Sequence, residues 1–293
     1  MTTPELSVII PAFNEERLIA QMIEAVRAHT GAFQTEIIVV DNGSRDRTRE
    51  LARAAGAHQV VQASGTVAAV RNAGAALAKA PIFVFLDADV FLTPQWARRM
   101  LTVIKDVPAR KMLTGSWVSV PDECTWIERH WFKPLEHGGN SHINSGHLII
   151  SRALFEEIGG FDAALRTGED VDISHRAAEV GADVLDDPLL KVIHEGYPKS
   201  LGEFIRREIW HGTGDCQSVR GFMGSKIAII GALMVHIQLV AWFASILLGD
   251  PTWGILASAG AIGVCFLASI YRYRSVPLVT RLTTTVLYYF YFL

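Results

Sequence analysis

The sequence predicts an α/β domain with a mostly parallel sheet, followed by helices that cross a membrane. Over residues 1–200, short apolar runs rich in β-branched residues alternate with helical patterns, which is typical of βαβ units. Charge separates the two parts: only four of the 67 residues over 227–293 are charged, although the whole chain carries 27 basic and 30 acidic residues. We therefore expect a globular domain over 1–200, an amphipathic interfacial segment over 201–226 and a membrane segment over 227–293.

The early part of the chain predicts four strands joined by helices. The strands are expected at residues 6–10, 36–40, 59–62 and 82–86. An Ala-rich stretch over 66–79 predicts a helix, and Asn14 is expected to cap a helix that begins at Glu15. Crossover connections of this kind give parallel strands, and ligands bind beyond the carboxyl ends of such strands.

Polar residues follow three of these strands, at positions 11–15, 41–44 and 87–89. The Asp-Ala-Asp triplet at 87–89 is the sharpest signal, because two carboxylates at a strand end can hold a hard cation together with substrate phosphates. Mn²⁺ or Mg²⁺ is the expected ion. The first strand is followed by neither a GxGxxG fingerprint nor a P-loop, so binding of dinucleotides or of P-loop ligands loses its main support.

The composition argues against two other classes of protein. The net charge of −3 disfavours a nucleic-acid partner, which would need an excess of basic groups to neutralise phosphates. Cys124, Cys216 and Cys265 lie far apart in the sequence and form no CxxC pair. The sequence therefore predicts neither a disulfide framework nor a thiolate zinc site.

Two uncharged runs predict a transmembrane hairpin. The first, over 227–248, has 22 residues, and a helix of that length spans about 33 Å, enough to cross a bilayer core. The second covers 251–271. Basic residues flank the outer ends of the pair, which predicts a multi-pass protein of the cytoplasmic (inner) membrane with its globular domain in the cytoplasm. A buried hairpin in a soluble protein is the alternative. Residues 282–293 are too short to span and would lie in the interface or belong to a truncated third helix.

Five motifs, taken together, resemble those of family 2 glycosyltransferases with the GT-A fold. They are SVIIPAFNE at 7–15, VVDNGSRDRT at 39–48, VRNAG at 70–74, FLDADV at 85–90 and GGFDAALRTGEDVDISHRA at 159–177. The motifs occur in the expected order over roughly residues 5–215. The resemblance implies a GT-A catalytic domain over 1–200 that moves a sugar from a nucleoside-diphosphate sugar to an acceptor.

The resemblance also implies which residues bind substrate. In this family the end of the first strand and the aspartate after the second bind the nucleotide, so Asp41 is the expected partner of the base or ribose, and Arg71 would lie near the base and the diphosphate. A plain turn is the alternative for Asp41, and a surface charge for Arg71. The residues expected to contact substrate are Pro11, Ala12, Asn14, Glu15, Asp41, Arg71, Asp87, Ala88, Gly146, Glu169 and Trp210.

Catalytic and metal-binding roles follow from the same resemblance. Glu169-Asp170 resembles the catalytic acidic pair, with Asp170 as the base that takes the acceptor proton and Glu169 beside the acceptor. Alternatively, these acids merely favour the start of a helix. Asp89 is expected to bind the metal directly, with Asp87 nearer the ribose. His194, after an expected strand over 189–193, is a candidate for a further metal ligand.

Two other groups of residues carry less specific signals. We expect four histidines to lie on active-site loops or at the surface: His130, His137, His142 and His147. Residues 204–216 lie where processive relatives carry a QxxRW motif that contacts acceptor sugar and diphosphate. This chain has no QxxRW, which argues against a processive, polymer-translocating enzyme. An interfacial helix with Trp210 at the lipid headgroups is the alternative for this stretch.

The sequence thus predicts an inverting, metal-dependent glycosyltransferase at the cytoplasmic face of a membrane, with a lipid-linked or other glycan acceptor. A catalytically inactive, transferase-like scaffold at the membrane is the alternative from another class. A nucleotidyltransferase is disfavoured because the first strand is not followed by a Gly-rich, basic loop for a triphosphate. The sequence fixes neither the donor sugar and base nor the acceptor, the linkage and the oligomeric state.

Overall fold

The structure of the protein is a computed structural model that describes residues 3–116, 118–135, 142–215, 219–274 and 276–292. The chain divides into two compact units. Met1–Pro121 and Glu136–Gly196 form the first unit, and Asp122–Leu135 and Tyr197–Leu293 form the second.

The first unit alternates strands and helices along the chain. Its strands are β1 (Leu6–Ala12), β2 (Thr35–Asp41), β3 (Gln59–Gln62), β4 (Ile82–Leu86), β5 (Val90–Leu92), β6 (Met112–Gly115), β7 (His147–Ser151), β8 (Asp183–Asp186) and β9 (Val192–His194). Its helices are α1 (Ile19–His29), α2 (Thr48–Ala54), α3 (Val67–Leu77), α4 (Pro94–Ala109), α5 (Arg152–Glu157) and α6 (Glu169–Glu179). Strands β3 and β4 have the bounds that the sequence predicts, and β1 and β2 are slightly longer.

The main sheet has the strand order β3-β2-β1-β4-β7-β6-β8. β1 is parallel to β2 and β4, β2 is parallel to β3, and β7 is antiparallel to both of its neighbours. The start of β7 therefore lies at the same edge as the carboxyl ends of β1, β2 and β4. A small second sheet pairs β5 with β9. The predicted α/β class with a mostly parallel sheet is confirmed.

The core beneath α3 is apolar and closely packed. Phe83 of β4 meets Phe155 edge to face, with ring centroids 5.5 Å apart, and burial of a side chain of this size contributes about 1.5–3 kcal/mol. Gly74 lets α3 approach β1, since a Cβ at this position would lie 2.5 Å from Cγ2 of Ile9. This packing fixes the helix whose buried residues include Arg71.

The start of α1 differs from the prediction. Asn14 does not cap the helix, which begins at Ile19. Asn14 instead adopts a left-handed backbone with φ of 57°, and its Oδ1 accepts a hydrogen bond from the N–H of Arg45. The N–H of Glu15 is bound to Oγ1 of Thr48 at 2.7 Å. The expected cap is wrong because these polar groups tie the loop after β1 to the loop after β2 before the helix begins.

The second unit is helical in its described residues. It contains a π-helical turn (Glu128–Phe132), a 3₁₀ turn (Lys133–Leu135), α7 (Leu201–Asp215), α8 (Val219–Gly224), α9 (Lys226–Leu248), α10 (Thr252–Arg272) and α11 (Leu278–Phe292). By length and composition, α9 and α10 could each cross a membrane. Gly249, with φ of 65°, ends α9 in the left-handed conformation that favours glycine.

Helix α11 begins earlier than the predicted apolar segment over 282–293 and packs against the two long helices. Tyr288 is buried, and its ring lies 4.8 Å from that of Trp131. The hydroxyl of Tyr289 donates to Oε1 of Gln238 on α9 at 3.0 Å. These tyrosines thus contact protein groups of the second unit, and Gln238 makes a hydrogen bond between helices.

Candidate active site

A cleft of about 250 Å³ opens at the carboxyl ends of β1 and β4. Its lining consists of Pro11, Ala12, Phe13, Glu15, Asn42, Val67, Val70, Asp87, Ala88 and Asp89. Six residues predicted to bind substrate or metal therefore share one cleft, and three of those six are acidic. The strand topology explains this convergence, because the residues follow neighbouring parallel strands.

Three acidic side chains, those of Glu15, Asp87 and Asp89, line the cleft. Burial, followed by the negative charges of Asp89 and Asp87, raises the pKa of Glu15 to about 7. An ordinary glutamate has a pKa of about 4.3, so the surroundings of Glu15 disfavour a further negative charge. The cleft is therefore a place where a bound cation would be stabilised.

Asp41 and Asn14 hold the two loops beside this cleft. The Asp41 carboxylate is fully buried and accepts hydrogen bonds from the N–H groups of Gly43 and Ser44 at 3.2 and 3.1 Å. The N–H of Asn14 donates to Oγ of Ser44 at 2.8 Å. These contacts match the turn that was the alternative for Asp41, and its contact with a base or ribose stays a prediction.

Arg71 forms a buried bridge between two carboxylates. Its side chain is only 2% exposed. One terminal nitrogen donates to Oδ1 of Asp87 at 2.6 Å, and the other donates to Oε1 of Glu169 at 2.9 Å. Glu169 also accepts from Oγ of Ser145 at 2.8 Å. The bridge joins the predicted donor-binding carboxylate to the predicted acidic pair. Its burial excludes the alternative that Arg71 is a surface charge, and contact of Arg71 with a base or diphosphate stays a prediction.

Gly146 lies directly against Asp87. Its carbonyl oxygen accepts from the N–H of Asp87 at 3.0 Å. A Cβ at Gly146 would lie 2.7 Å from Oδ2 of Asp87. Because β7 is antiparallel to β4, the residue before β7 meets the residue after β4, and only glycine leaves room for the carboxylate.

Asp89 pairs with His194 across the two-stranded sheet. Oδ2 of Asp89 lies 3.1 Å from Nε2 of His194. Burial alone would raise the pKa of Asp89, but the charge and the hydrogen bond of His194 outweigh burial and lower it. Gly196 completes the arrangement, since a Cβ there would lie 1.7 Å from Oδ2 of Asp89. The sequence analysis did not predict a role for Gly196. The one indication in the sequence is that this glycine comes two residues after His194, the candidate metal ligand.

The residues present fit a divalent cation bound by few protein ligands. The carboxylate oxygen of Asp89 and the imidazole nitrogen of His194 lie 3.1 Å apart. Such a pair of ligands suits Mn²⁺ or Mg²⁺, and Mn²⁺ is the better match to nitrogen. Among the described residues no group of three or more His, Cys, Asp or Glu side chains has the geometry of a complete metal site. Such an ion would take its remaining ligands from water and substrate phosphate, as Mg²⁺ usually does.

Asp170 lies in the first turn of α6, next to Glu169. Its Oδ2 lies 3.9 Å from Nε2 of His142, and its side chain is 19% exposed. Burial, and then the negative charge of Glu169, raises the pKa of Asp170. Its surroundings thus favour the protonated form more than those of an ordinary aspartate do, which is the property expected of a group that accepts a proton.

The histidines have different surroundings from one another. His142 lies near Asp170, as expected for an active-site loop. His147 is not a surface residue: it is fully buried, and its Nε2 accepts from Nε1 of Trp96 at 2.8 Å. Burial lowers the pKa of His147 to about 3, so it stays neutral. His137 lies outside the described residues.

Trp210 belongs to α7, in the second unit. Its side chain lies outside the described part of the structure. The predicted role of Trp210 in substrate binding therefore stays a prediction.

Comparison with solved structures supports the fold. The mannosyltransferase PcManGT from Pyrobaculum calidifontis, determined in complex with GDP-Man and Mn²⁺, matches with a TM-score of 0.55 at 20% identity, over 98% of this chain and 87% of that one. Residues 1–349 of TarS from S. aureus match with a TM-score of 0.50 at 17% identity, over 73% of this chain and 66% of that one.

Comparison with curated sequences finds glycosyltransferases. Glycosyltransferase AglE of Haloferax volcanii is 28% identical over 229 residues, which cover 74% of each chain. The pre-mycofactocin glycosyltransferase of Mycobacterium tuberculosis is 26% identical over 225 residues, covering 71% of this chain and 46% of the relative, so this chain spans about half of that protein. The family model described as glycosyl transferase family 2 matches residues 7–159. This match covers more than half of the chain, which therefore belongs to glycosyltransferase family 2 and is a glycosyltransferase.

Proposed function

We propose that this glycosyltransferase transfers a sugar, with inversion, from a nucleoside-diphosphate sugar to a lipid-linked acceptor at a membrane, and that it requires a divalent cation. The observation that carries the proposal is the Arg71 bridge, which joins Asp87 to Glu169. The bridge supports a single site that includes both the cleft with Asp89 and the acidic pair with Asp170.

The donor would occupy the cleft at the ends of β1 and β4. The loops after β1 and β2 line that cleft beside the carboxylates of Asp87 and Asp89. Carboxylates accept hydrogen bonds from ribose hydroxyls and base N–H groups, and Ala12 and Ala88 line the same cleft. The complex of the Pyrobaculum mannosyltransferase with GDP-Man and Mn²⁺ supports a nucleotide-sugar donor for the same fold.

Asp89 and His194 would hold the cation. When bound, a divalent cation neutralises charge that develops on the departing diphosphate. The Asp89 carboxylate stays ionised because His194 lowers its pKa, and Gly196 keeps space for it. The choice between Mn²⁺ and Mg²⁺ is part of the test below.

Asp170 would act as the base. The acceptor oxygen attacks the anomeric carbon and forms the new C–O bond, while the bond from that carbon to the diphosphate oxygen breaks and its electron pair stays on the diphosphate. The acceptor proton passes to the Asp170 carboxylate. Glu169 is held by Arg71 and Ser145, so it positions its neighbour and raises that neighbour's pKa by its negative charge.

The membrane part of the proposal rests on α9 and α10. Both are long and apolar enough to span a bilayer, and most of α9 is not buried inside the protein. Basic residues at the outer ends of this hairpin favour a cytoplasmic catalytic unit. An enzyme anchored in this way meets acceptors that are themselves confined to the membrane, which favours a lipid-linked acceptor over a soluble one.

A thermal-shift panel tests the donor and the cation. The full chain is heated with UDP-, GDP- or dTDP-sugars, each with Mn²⁺, with Mg²⁺ and with neither. We expect one nucleotide class to raise the midpoint, and only with a divalent cation, because a ligand of the folded state stabilises by mass action. Equal midpoints under all conditions would contradict the proposed donor. Turnover on soluble sugars as fast as on lipid acceptors would contradict the proposed acceptor.

A further inference from the structure

His147 is a fully buried histidine beside the candidate active site that has no part in the chemistry proposed above. It is the first residue of β7, where it pairs with Leu86, the last residue of β4. The residues next to this pair are joined by the hydrogen bond from the N–H of Asp87 to the carbonyl of Gly146. Burying an imidazole is unfavourable unless its nitrogens find partners, so the contacts of the ring indicate what the side chain does.

The ring nitrogens of His147 face two N–H donors, and these donors determine where the imidazole proton lies. Nε1 of Trp96 lies 2.8 Å from Nε2, and the backbone nitrogen of Ser116 lies 3.1 Å from Nδ1. Burial lowers the pKa of the ring, which stays neutral, and a neutral imidazole has only one nitrogen that accepts. Indole can only donate, whereas the Ser116 hydroxyl, also 3.1 Å from Nδ1, can accept. The proton therefore lies on Nδ1 and is donated to Oγ of Ser116, since the opposite tautomer would set two N–H groups against each other at the shorter distance.

The Ser116 hydroxyl continues this chain of hydrogen bonds to the segment just before β9. Its own hydrogen is donated to the carbonyl oxygen of Leu190 at 2.6 Å. The next carbonyl, that of Lys191, accepts from Oγ1 of Thr93 at 2.7 Å. The same Thr93 oxygen caps α4 by accepting from the backbone N–H of Trp96. Two consecutive carbonyls before β9 are therefore fixed by buried hydroxyls, and both hydroxyls connect to Trp96, that of Ser116 through the imidazole.

β9 is a short strand whose register decides where His194 points. It has three residues and pairs with β5, with Val90 opposite His194. In this register Nε2 of His194 lies 3.1 Å from Oδ2 of Asp89. A slip by one residue would turn every side chain of the strand to the other face and so take His194 away from Asp89. Fixing the two carbonyls just before β9 therefore fixes the position of His194 as well.

We propose that His147 is a positioning residue for glycosyl transfer: with its proton on Nδ1 it orients Ser116, which fixes the register of β9 and so holds His194 against Asp89. This inference rests on the proposed cation site, to which Asp89 and His194 belong. Buried polar networks specify one arrangement of a core, whereas an apolar side chain at position 147 would fill space without fixing a register.

The hydroxyl of Thr114 provides a matched control for that of Ser116. Thr114 is buried near the end of β6, two residues earlier, and its Oγ1 donates to the carbonyl of Leu185 at 2.7 Å. Ser116→Ala and Thr114→Val each delete one buried hydroxyl that donates to a carbonyl, so both should lower the free energy of unfolding by similar amounts. Only Ser116→Ala breaks the connection to β9. A second pair acts on the ring itself: His147→Asn keeps an N–H donor near the position of Nδ1, and His147→Leu removes it.

Two properties of the full chain are measured for each variant: unfolding in denaturant, and calorimetric titration with a nucleotide sugar in the presence and absence of Mn²⁺. We expect Thr114→Val to keep the wild-type gain in donor affinity from Mn²⁺. Ser116→Ala and His147→Leu should lose about tenfold of that gain, the lower end of the range for groups that orient a metal ligand. His147→Asn should keep most of it, although it is less stable because the indole of Trp96 loses its acceptor.

A residue that only stabilised the core would give a different pattern, in which donor affinity follows stability. Equal gains from Mn²⁺ in Ser116→Ala and Thr114→Val would therefore overturn the inference. This comparison decides even where His147→Leu does not fold, since each of the two variants removes a single hydroxyl. A wild type whose donor affinity does not respond to Mn²⁺ is a different result: it would overturn the proposed cation site, and the inference with it.

Discussion

Asp89 and Asp170 are the same residue type in the same unit, yet their surroundings shift the pKa values of their carboxyl groups in opposite directions. Asp89 faces His194 at 3.1 Å, and the pKa of its carboxyl is lowered despite burial. Asp170 lies beside Glu169 and 3.9 Å from His142, and burial together with the negative charge of Glu169 raises its pKa. One carboxylate is therefore kept charged, as the proposed cation site requires, and the other is suited to the proposed role of taking a proton. Pairs of carboxyl groups with separated pKa values are how one site supports two roles.

The largest effect is expected when the proposed base, Asp170, is replaced. Asp170→Asn keeps the shape of the side chain but cannot accept the acceptor proton, so we expect kcat to fall about 10²–10⁴-fold. The measurement is steady-state turnover at saturating donor and acceptor. Glu179→Gln, at an exposed position of the same helix, should retain the wild-type rate. A wild-type rate in Asp170→Asn would show that the base lies elsewhere.

Removing the Arg71 guanidinium tests whether its buried bridge to Glu169 stabilises the fold. Arg71→Met leaves the buried Glu169 without its cation, and breaking a buried pair from one side costs about 3–5 kcal/mol. Denaturant unfolding should show this loss. Arg98→Met, at an exposed position, should change the free energy of unfolding by no more than about 0.5 kcal/mol. Equal stability of the two variants would contradict a buried bridge.

The Asp89 side of the comparison can be tested through Gly196. A Cβ at this position would lie 1.7 Å from Oδ2 of Asp89, so Gly196→Ala displaces the carboxylate. We expect Mn²⁺-dependent donor affinity to fall about 10–100-fold, as for other changes beside a metal ligand. Gly31→Ala adds its Cβ 3.8 Å from the nearest atom and serves as the control. An unchanged Mn²⁺-dependent donor affinity in Gly196→Ala would show that Asp89 does not bind the cation.

The smallest expected effect is a shift in the pH dependence of kcat when His142, the neighbour of Asp170, is replaced. The carboxyl must be deprotonated to accept a proton, so kcat should fall as the pH falls through a raised pKa, above the ordinary aspartate value of about 3.9. The positive charge of His142 lowers the pKa of Asp170. His142→Asn should therefore move the acidic limb of the kcat profile to higher pH. A limb that stays in place, or moves to lower pH, would show that His142 does not act on the base.

The elements that the sequence predicted best are those with local signals. β4 is an uninterrupted apolar run, and its bounds were predicted correctly. The strand expected over 189–193 is instead Val192–His194, because the N–H of Leu190 closes a turn onto the carbonyl of Asp187. The convergence of Asp87, Asp89 and Glu15 also followed from the sequence, since strand ends in a parallel sheet share an edge.

What the sequence could not predict depends on contacts between distant residues. Arg71 and Glu169 lie 98 positions apart, and no local pattern indicates that this arginine is buried. His147 looked like a loop residue because its partner Trp96 is 51 positions away. Gly196 matters only through the position of Asp89. In each case the side chain's role follows from tertiary packing, which periodicity and motif spacing do not record.

The division of roles between the two aspartates is tested most directly by calorimetric titration of the donor with and without Mn²⁺, in Asp89→Asn and Asp170→Asn side by side, with turnover measured on the same samples. We predict that Asp89→Asn loses the Mn²⁺-dependent part of donor affinity. Asp170→Asn should bind donor as the wild type does while its turnover collapses. Donor binding that responds to Mn²⁺ equally in both variants would contradict the account.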